Sequence, residues 1–252
     1  MPNPWELKTD DSRSNETIPL FIIYCEDKVC EPIYFKYFET DKIKVNPVGD
    51  QKSKMENVMN AITGCFSEDL MEYDENGNPR LKSDTTHAWC VYDRDLEVIE
   101  AQRTLGNTNF DASIRHAENI GIKVAWSNDA FELWILLHFQ NVVATQVENS
   151  NRVTYYNKLT EVFKQLPNAN QDLQKATAHA SFGYKKDLKQ EHNFRNIVRA
   201  EIISNTQQAI IRAKALEVHH TIVPVKPSHQ KAPCTMVHHL VEELIALGGK
   251  QS

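Results

Sequence analysis

Acidic residues stand directly after two strongly apolar segments of the chain. Glu26 follows the run 20–25, and Asp93 and Asp95 follow the run 86–92. Carboxylates that gather in one place repel one another, and each raises the pKa of its neighbours unless a cation neutralises them. Their hard oxygens suit Mg²⁺ or Mn²⁺, which can polarise a phosphoryl oxygen and activate water. The pattern predicts a metal site for phosphodiester chemistry at Glu26, Asp93 and Asp95, although an Asp-x-Asp pair alone is more typical of a loop.

Strand-like and helix-like segments alternate over the first half of the chain. Apolar runs predict strands at 20–25, 42–48, 86–92 and 122–126, and helical spacing predicts helices at 31–39, 53–70, 109–120 and 130–139. Ser53 and Glu56 are typical of a capping box, and 74–79 is typical of a turn-rich loop. After about residue 151 only helices are predicted, at 152–166, within 185–219 and at 233–247. This order predicts an α/β fold, a mostly parallel sheet flanked by helices, with a helical C-terminal region.

Such a sheet would also position the acids. Ligands of open α/β sheets bind beyond the carboxyl ends of the strands. If the first and third strands are parallel neighbours, Glu26 lies within several ångströms of Asp93 and Asp95. Asn128 and Glu132 follow the fourth strand and are four residues apart, a helical spacing. Two interpretations stand for them: they support the metal site, with Glu132 as an outer ligand, or they are a helix cap and a buried, hydrogen-bonded acid.

Positive charge is concentrated late in the chain. Residues 1–173 carry a net charge of −11 and residues 174–231 carry +6, within a total of −6. The candidate nucleic-acid-binding residues lie in the basic segment at mostly helical spacing: Lys185, Lys186, Lys189, Arg195 and Arg199, with His192 beside them. Such a stripe can track a phosphate backbone, and Tyr184 and Phe194 could stack on bases. Lys185 or Lys186 could instead stabilise a scissile phosphate. An ordinary solvated helix face remains the alternative, and His138 is assigned to the core.

Composition excludes several classes of protein. The 252 residues contain no apolar run long enough to cross a bilayer and no apolar segment of the kind a signal peptide needs. We therefore expect a cytoplasmic protein whose five cysteines are free thiols. A structural zinc site is not expected, because the doublets 219–220 and 238–239 lack cysteine partners. The domain hypothesis is a flexible leader at 1–18, an α/β domain at 19–145 and a helical region at 146–252 packed on it.

Five segments together resemble the RloB-like proteins. They are 21–35 (FIIYCEDKVCEPIYF), 91–95 (VYDRD), 125–134 (AWSNDAFELW), 137–139 (LHF) and 232–238 (APCTMVH). The resemblance implies a Toprim-type fold, related to topoisomerases, primases and OLD-family nucleases, and a locus in bacterial restriction or abortive-infection systems beside an ABC-type or AAA-type ATPase. It assigns Glu26 as metal ligand or general acid/base, Asp93 and Asp95 as metal ligands, and Glu31 as a second acid. Asp27 stands where the family usually has glycine, and Cys30 stands where threonine is common.

The resulting hypothesis is a metal-dependent nuclease that acts on DNA or RNA, tRNA included, in anti-phage defence with a partner ATPase. The chain has no GxxxxGK[ST] motif, so nucleotide hydrolysis would belong to that partner. Two alternatives stay open. One is a non-catalytic, ATPase-associated sensor or nucleic-acid-binding subunit, and the other is a Toprim nucleotidyl transferase.

Overall fold

The computed structural model describes residues 18–96, 99–146, 150–167, 170–221 and 226–250. The predicted leader therefore lies almost entirely outside the described residues. No helix among those described is long and apolar enough to cross a membrane. The strands are β1 (Leu20–Cys25), β2 (Lys44–Val48), β3 (Met71–Tyr73), β4 (Pro79–Leu81), β5 (Thr86–Asp93), β6 (Lys123–Asn128) and β7 (Cys234–Thr235).

Five of these strands form one sheet in the order β2-β1-β5-β6-β7. The first four are parallel, and β7 is antiparallel to β6 at the edge. The central strands β1 and β5 are apolar along nearly their whole length, because helices cover both faces of the sheet. The predicted α/β fold with a mostly parallel sheet is confirmed.

Helices occupy both faces of the sheet and most of the second half of the chain. The α-helices are α1 (Cys30–Lys36), α2 (Lys54–Ser67), α3 (Glu100–Asn119), α4 (Glu132–Leu137), α5 (Arg152–Gln165), α6 (Gln171–Thr177), α7 (Glu191–Asn193), α8 (Arg199–Ile202), α9 (Thr206–Thr221) and α10 (Val237–Gly248). π-helical turns at Tyr184–Leu188 and Phe194–Val198 and a 3₁₀ turn at Ile203–Asn205 interrupt the segment predicted as one long helix.

Two hydrophobic clusters lie on opposite faces of the sheet. One packs α2 and α3 against the sheet and includes Tyr92 and Phe110. The other packs α1, α4 and the C-terminal helices against it and includes Tyr34, Trp134 and Leu244. This second cluster runs without a break from the sheet into the helical region. The domain boundary at 145–146 stays a prediction.

Several local predictions differ from the structure. Ser53 precedes α2 but makes no side-chain cap; its hydroxyl lies 3.4 Å from the carbonyl oxygen of Asp93 instead. The turn at 74–79 closes an antiparallel pair, β3 with β4. Helix α3 begins at Glu100 rather than 109, and α4 spans six residues with no side-chain cap. The segment predicted as a helix from 233 begins instead with β7, which is stabilised by pairing with β6.

Candidate active site

The carboxyl ends of β1 and β5 bring the predicted acids together. The two strands are parallel neighbours, with Cys25 level with Val91. Glu26 follows β1 and its Oε2 accepts a hydrogen bond of 2.8 Å from the backbone N–H of Asp93, the last residue of β5. The expectation that Glu26 lies close to the Asp93–Asp95 pair is therefore confirmed.

These acids line a cavity of about 250 Å³, here called the acid cavity. Its lining consists of six carboxyl side chains, two cations and two aromatic residues: Glu26, Asp27, Glu31, Asp93, Asp95, Glu132, Arg152, Lys189, Phe131 and Tyr156. All the acids come from the first 132 residues, and both cations come from the C-terminal region. Carboxyl groups outnumber cationic side chains three to one, so the cavity would carry excess negative charge if every carboxyl group were ionised.

Burial and crowding shift the pKa values of three of these acids upward. Burial, and then the charge of Asp95, raises the pKa of Glu26 to about 8. The pKa of Glu31 lies well above its ordinary value because the side chain is buried and Asp27 and Glu26 are near. Burial followed by the charges of Glu26 and Glu31 does the same to Asp93. A cation in the cavity would reverse these shifts.

Lys189 is the cation on one side of the cavity. Its Nζ lies 2.6 Å from Glu132 Oε1 and 3.5 Å from Asp27 Oδ2. Burial alone would lower the pKa of Lys189, but the charge of Glu132, the neighbouring Cys30 and Tyr156 and the hydrogen bond to Glu132 together outweigh it, and the pKa lies above its ordinary value. Lys189 was predicted as part of a nucleic-acid-binding stripe. The irregular turns between 184 and 198 direct it into the acid cavity instead.

Arg152 is the cation on the other side, and no sequence pattern pointed to it. Its guanidinium pairs with Asp95 through Nη2 and lies 3.6 Å from Asp129 Oδ2 through Nε. Asp129 also accepts hydrogen bonds from the backbone N–H groups of Leu96 at 2.6 Å and Arg152 at 3.2 Å. Asp95 adopts a φ of 53°, a left-handed conformation that aspartate tolerates. Asp129 therefore holds together the turn that presents Asp95.

Asp27 replaces the glycine expected by family resemblance and fixes the turn after β1. Its Oδ1 accepts hydrogen bonds from the backbone N–H groups of Val29 and Cys30, the latter at 2.8 Å. Its own N–H donates to Glu31 Oε2 at 3.2 Å. The carboxylate at this position both tightens the turn and adds a charge to the cavity.

The structure separates the two residues expected to support the site. Glu132 lines the acid cavity. Asn128 is the last residue of β6 and is not among the residues that line this cavity. Asn128 Oδ1 accepts a hydrogen bond of 3.1 Å from Arg94 Nη1, and its Nδ2 donates to the carbonyl oxygens of Ser228 and His229. The two residues do not share a helix face, because α4 begins only at Glu132, and their role at the site stays a prediction.

The remaining basic residues do not form one helical stripe. Lys185 lies 5.4 Å from the ring centre of Tyr156, and Lys186 reaches Ser181. Arg195 pairs with Glu191 at 3.0 Å, and Arg199 lies 5.8 Å from the ring centre of Tyr37.

Three further side chains for which the sequence made predictions are buried in the structure. Tyr184 and Phe194 are fully buried, so the proposal that they stack on bases was wrong. His138 is buried and lies within hydrogen-bonding distance of Tyr34 Oη and the Trp134 carbonyl oxygen. Its predicted place in the core is confirmed.

The carboxylates of the acid cavity lie near one another, but within the described part of the chain no three of them have ligand atoms that all lie within 4.8 Å of one another. Among the described residues, one group of three His, Cys, Asp or Glu side chains has ligand atoms that all lie within 4.8 Å of one another, and it lies elsewhere, at Glu217, His238 and His239. In the acid cavity Asp95 faces Arg152, and Glu132 faces Lys189. Binding one metal ion would require side-chain rotation toward a common centre.

Comparison with known proteins gives one match. The RloB-like protein family matches residues 21–244, which cover most of the chain. No curated protein and no solved structure matches.

Proposed function

This chain belongs to the RloB-like family, and on that premise we propose that it is a Toprim-type, metal-dependent nuclease. The observation that supports the proposal is the acid cavity at the carboxyl ends of β1 and β5, where three carboxyl groups have raised pKa values. Cleavage of nucleic acid in bacterial anti-phage defence, with an ATPase as partner, is the activity we assign to it. The defence role and the partner follow from the family resemblance.

The donor chemistry of the cavity fits Mg²⁺ or Mn²⁺. The available ligands are carboxylate oxygens, which hard divalent cations prefer, with no thiolate or imidazole among the lining residues. Glu26, Asp93 and Asp95 would hold the ion, and Glu31 would join them if a second ion binds. A bound ion would polarise a phosphodiester oxygen and lower the pKa of water.

The chain's own residues supply proton transfer and positioning. In the metal-free cavity Glu26 has a pKa of about 8; a bound cation would lower it, so that Glu26 would act as a ligand or, in its ionised form, as a general base. Lys189 and Arg152 keep their charge and stand at opposite sides of the cavity. They can stabilise negative charge that develops on a phosphate once Glu132 or Asp95 rotates away.

A second candidate function is a non-catalytic, ATPase-associated sensor. The ion pairs of Asp95 with Arg152 and of Glu132 with Lys189 favour it, because they occupy carboxylates that a metal site would need. In a sensor the paired charges would stabilise the sheet edge, and the protein would bind nucleic acid without cutting it. A Toprim nucleotidyl transferase would use the same acids and would be revealed by nucleotide incorporation.

Cleavage assays distinguish these functions. The purified chain is incubated with tRNA, plasmid DNA and single-stranded DNA in Mg²⁺ or Mn²⁺, with and without the neighbouring ATPase. Asp93→Asn should abolish cleavage, while Asp172→Asn, which changes an exposed acid on α6, should leave it intact. Binding without cleavage under every condition would support the sensor. Equal cleavage by both variants would contradict the site assignment.

A further inference from the structure

Helices α9 and α10 meet at a cluster of three ionisable side chains. Glu217 on α9 faces His238 and His239 in the first turn of α10. Its Oε2 lies 2.9 Å from His238 Nε2, and its Oε1 lies 3.2 Å from His239 Nε2. These are the three side chains whose ligand atoms converge within 4.8 Å.

The hydrogen bonds of His238 fix which ring nitrogen carries the proton. His238 Nδ1 lies 3.0 Å from the carbonyl oxygen of Thr235. A carbonyl only accepts hydrogen bonds, so Nδ1 must be the N–H donor. In a neutral ring Nε2 then presents its lone pair, and it points at a carboxylate oxygen that also carries only lone pairs. Two acceptors at 2.9 Å repel each other unless a proton or a metal cation lies between them.

The contacts of His238 match those of a metal-bound histidine. Its side chain is fully buried, so the ring orientation is fixed by its neighbours. Metal-bound histidines commonly donate their other ring N–H to a backbone carbonyl, which orients the ring. His238 makes that contact with Thr235, and a second imidazole reaches the same carboxylate.

We propose that Glu217, His238 and His239 form a binding site for a divalent transition-metal ion of the zinc class. Two imidazoles and one carboxylate suit Zn²⁺, Co²⁺ or Ni²⁺ and disfavour Mg²⁺. Ligand atoms around a tetrahedral zinc stand about 3.3 Å apart, given bonds of about 2.0 Å, so the observed contacts need to open only slightly. Glu217 and His239 are partly exposed and can make that adjustment.

The coordination positions that the protein leaves open face a cleft. Glu217 and His239 line a cavity of about 670 Å³, together with Arg115, Lys226 and Lys231. Water or a small anion from this cavity can complete the coordination; the lining also contains Asp111, Glu118 and Glu243, which balance the basic side chains. None of the lining residues belongs to the acid cavity, so the inference does not depend on the nuclease proposal.

Cobalt and zinc titrations test the site. The full chain is stripped with a chelator and titrated with Co²⁺, followed by its visible absorption, and with Zn²⁺ by calorimetry. We expect one equivalent at this site, beyond any ion that the acid cavity takes up, and His239→Ala and Glu217→Gln should each weaken its binding by about 100-fold or more, since loss of a supporting group alone costs 10–100-fold. Both changed side chains are partly exposed, so the variants should fold.

Two controls separate this site from others. His219→Ala removes an exposed histidine on α9, the helix that carries Glu217, and Asp93→Asn alters the acid cavity. Both variants should still bind one equivalent of metal ion at the Glu217 site. A wild type that binds neither ion, or affinities in His239→Ala and Glu217→Gln equal to that of the wild type, would overturn the proposal. If ¹⁵N NMR shows an imidazolium signal from His238 that Zn²⁺ leaves unchanged, a proton and not a metal ion lies between His238 Nε2 and Glu217, which would also overturn the proposal.

Discussion

Replacing Glu26 by glutamine removes a titratable carboxyl group from the acid cavity while keeping an oxygen that can accept the Asp93 N–H. The pKa of Glu26 rises from 4.5 in the unfolded chain to about 8 in the folded protein. Between these two pH values the unfolded chain has released its proton and the folded protein still holds it. Stability must therefore fall as pH rises through this window, and we expect Glu26→Gln to lose that dependence.

The size of the effect follows from the shift in pKa. Each pKa unit corresponds to about 1.4 kcal/mol, so full ionisation of Glu26 costs about 5 kcal/mol above pH 8. Roughly 2 kcal/mol of this appears between pH 6 and pH 8, which corresponds to a Tm change of roughly 4–8 °C in a chain of this size. The pKa values of Glu31 and Asp93 are raised as well, so their ionisation acts in the same direction.

Thermal unfolding followed by circular dichroism at pH 6 and pH 8, with a chelator present, measures this difference. We expect the wild type to lose more stability than Glu26→Gln between the two pH values. Glu75→Gln, a change at an exposed loop residue, should behave like the wild type. Excess Mg²⁺ at pH 8 should stabilise the wild type more than Glu26→Gln, because ligand binding favours the folded state. Parallel pH profiles for the wild type and Glu26→Gln would refute this reasoning.

Three further outcomes are expected. Asp93→Asn should abolish cleavage yet unfold with the cooperativity of the wild type in circular dichroism; full activity would remove it from the site. Lys189→Met should cost about 3 kcal/mol in urea denaturation, because it leaves the buried Glu132 charge without its cation, whereas Lys189→Arg should recover most of the loss. Charge reversal at Arg195 and Arg199 together should weaken nucleic-acid binding and flatten its dependence on log salt; an unchanged slope would assign that face to solvent or a protein partner.

The central strands and the acids at their ends were predictable from the sequence. A continuous apolar run such as 20–25 is typical of a strand buried on both faces, and parallel neighbours must bring Glu26 and Asp93 to one edge. The burial of His138 was also predictable, because this residue directly follows α4, a helix that is apolar almost all round. In these cases the local residue pattern and the general geometry of parallel sheets were enough to predict the positions of the residues.

The cations of the site were not predictable, because their positions depend on tertiary packing. Lys189 lies 57 residues after Glu132, within a segment whose periodicity suggested a regular helix. π-helical turns change the direction of its side chains, and spacing does not reveal such turns. Strand β7 has two residues, too few for periodicity, and forms only where β6 offers a partner. Glu217 stands 21 residues before His238, so the cluster they form has no sequence signature.

The separation of acids and cations along the chain has a consequence during synthesis. A ribosome makes Glu26 through Glu132 before it makes Arg152 and Lys189, and it makes β7 and α10 later still. A nascent chain that ended before residue 152 would have to bury its acids without their counter-ions, which is costly. We therefore expect the sheet edge to stay open until the C-terminal helices emerge from the ribosome. A nascent fragment that stops before residue 152 should therefore lack a closed acid cavity.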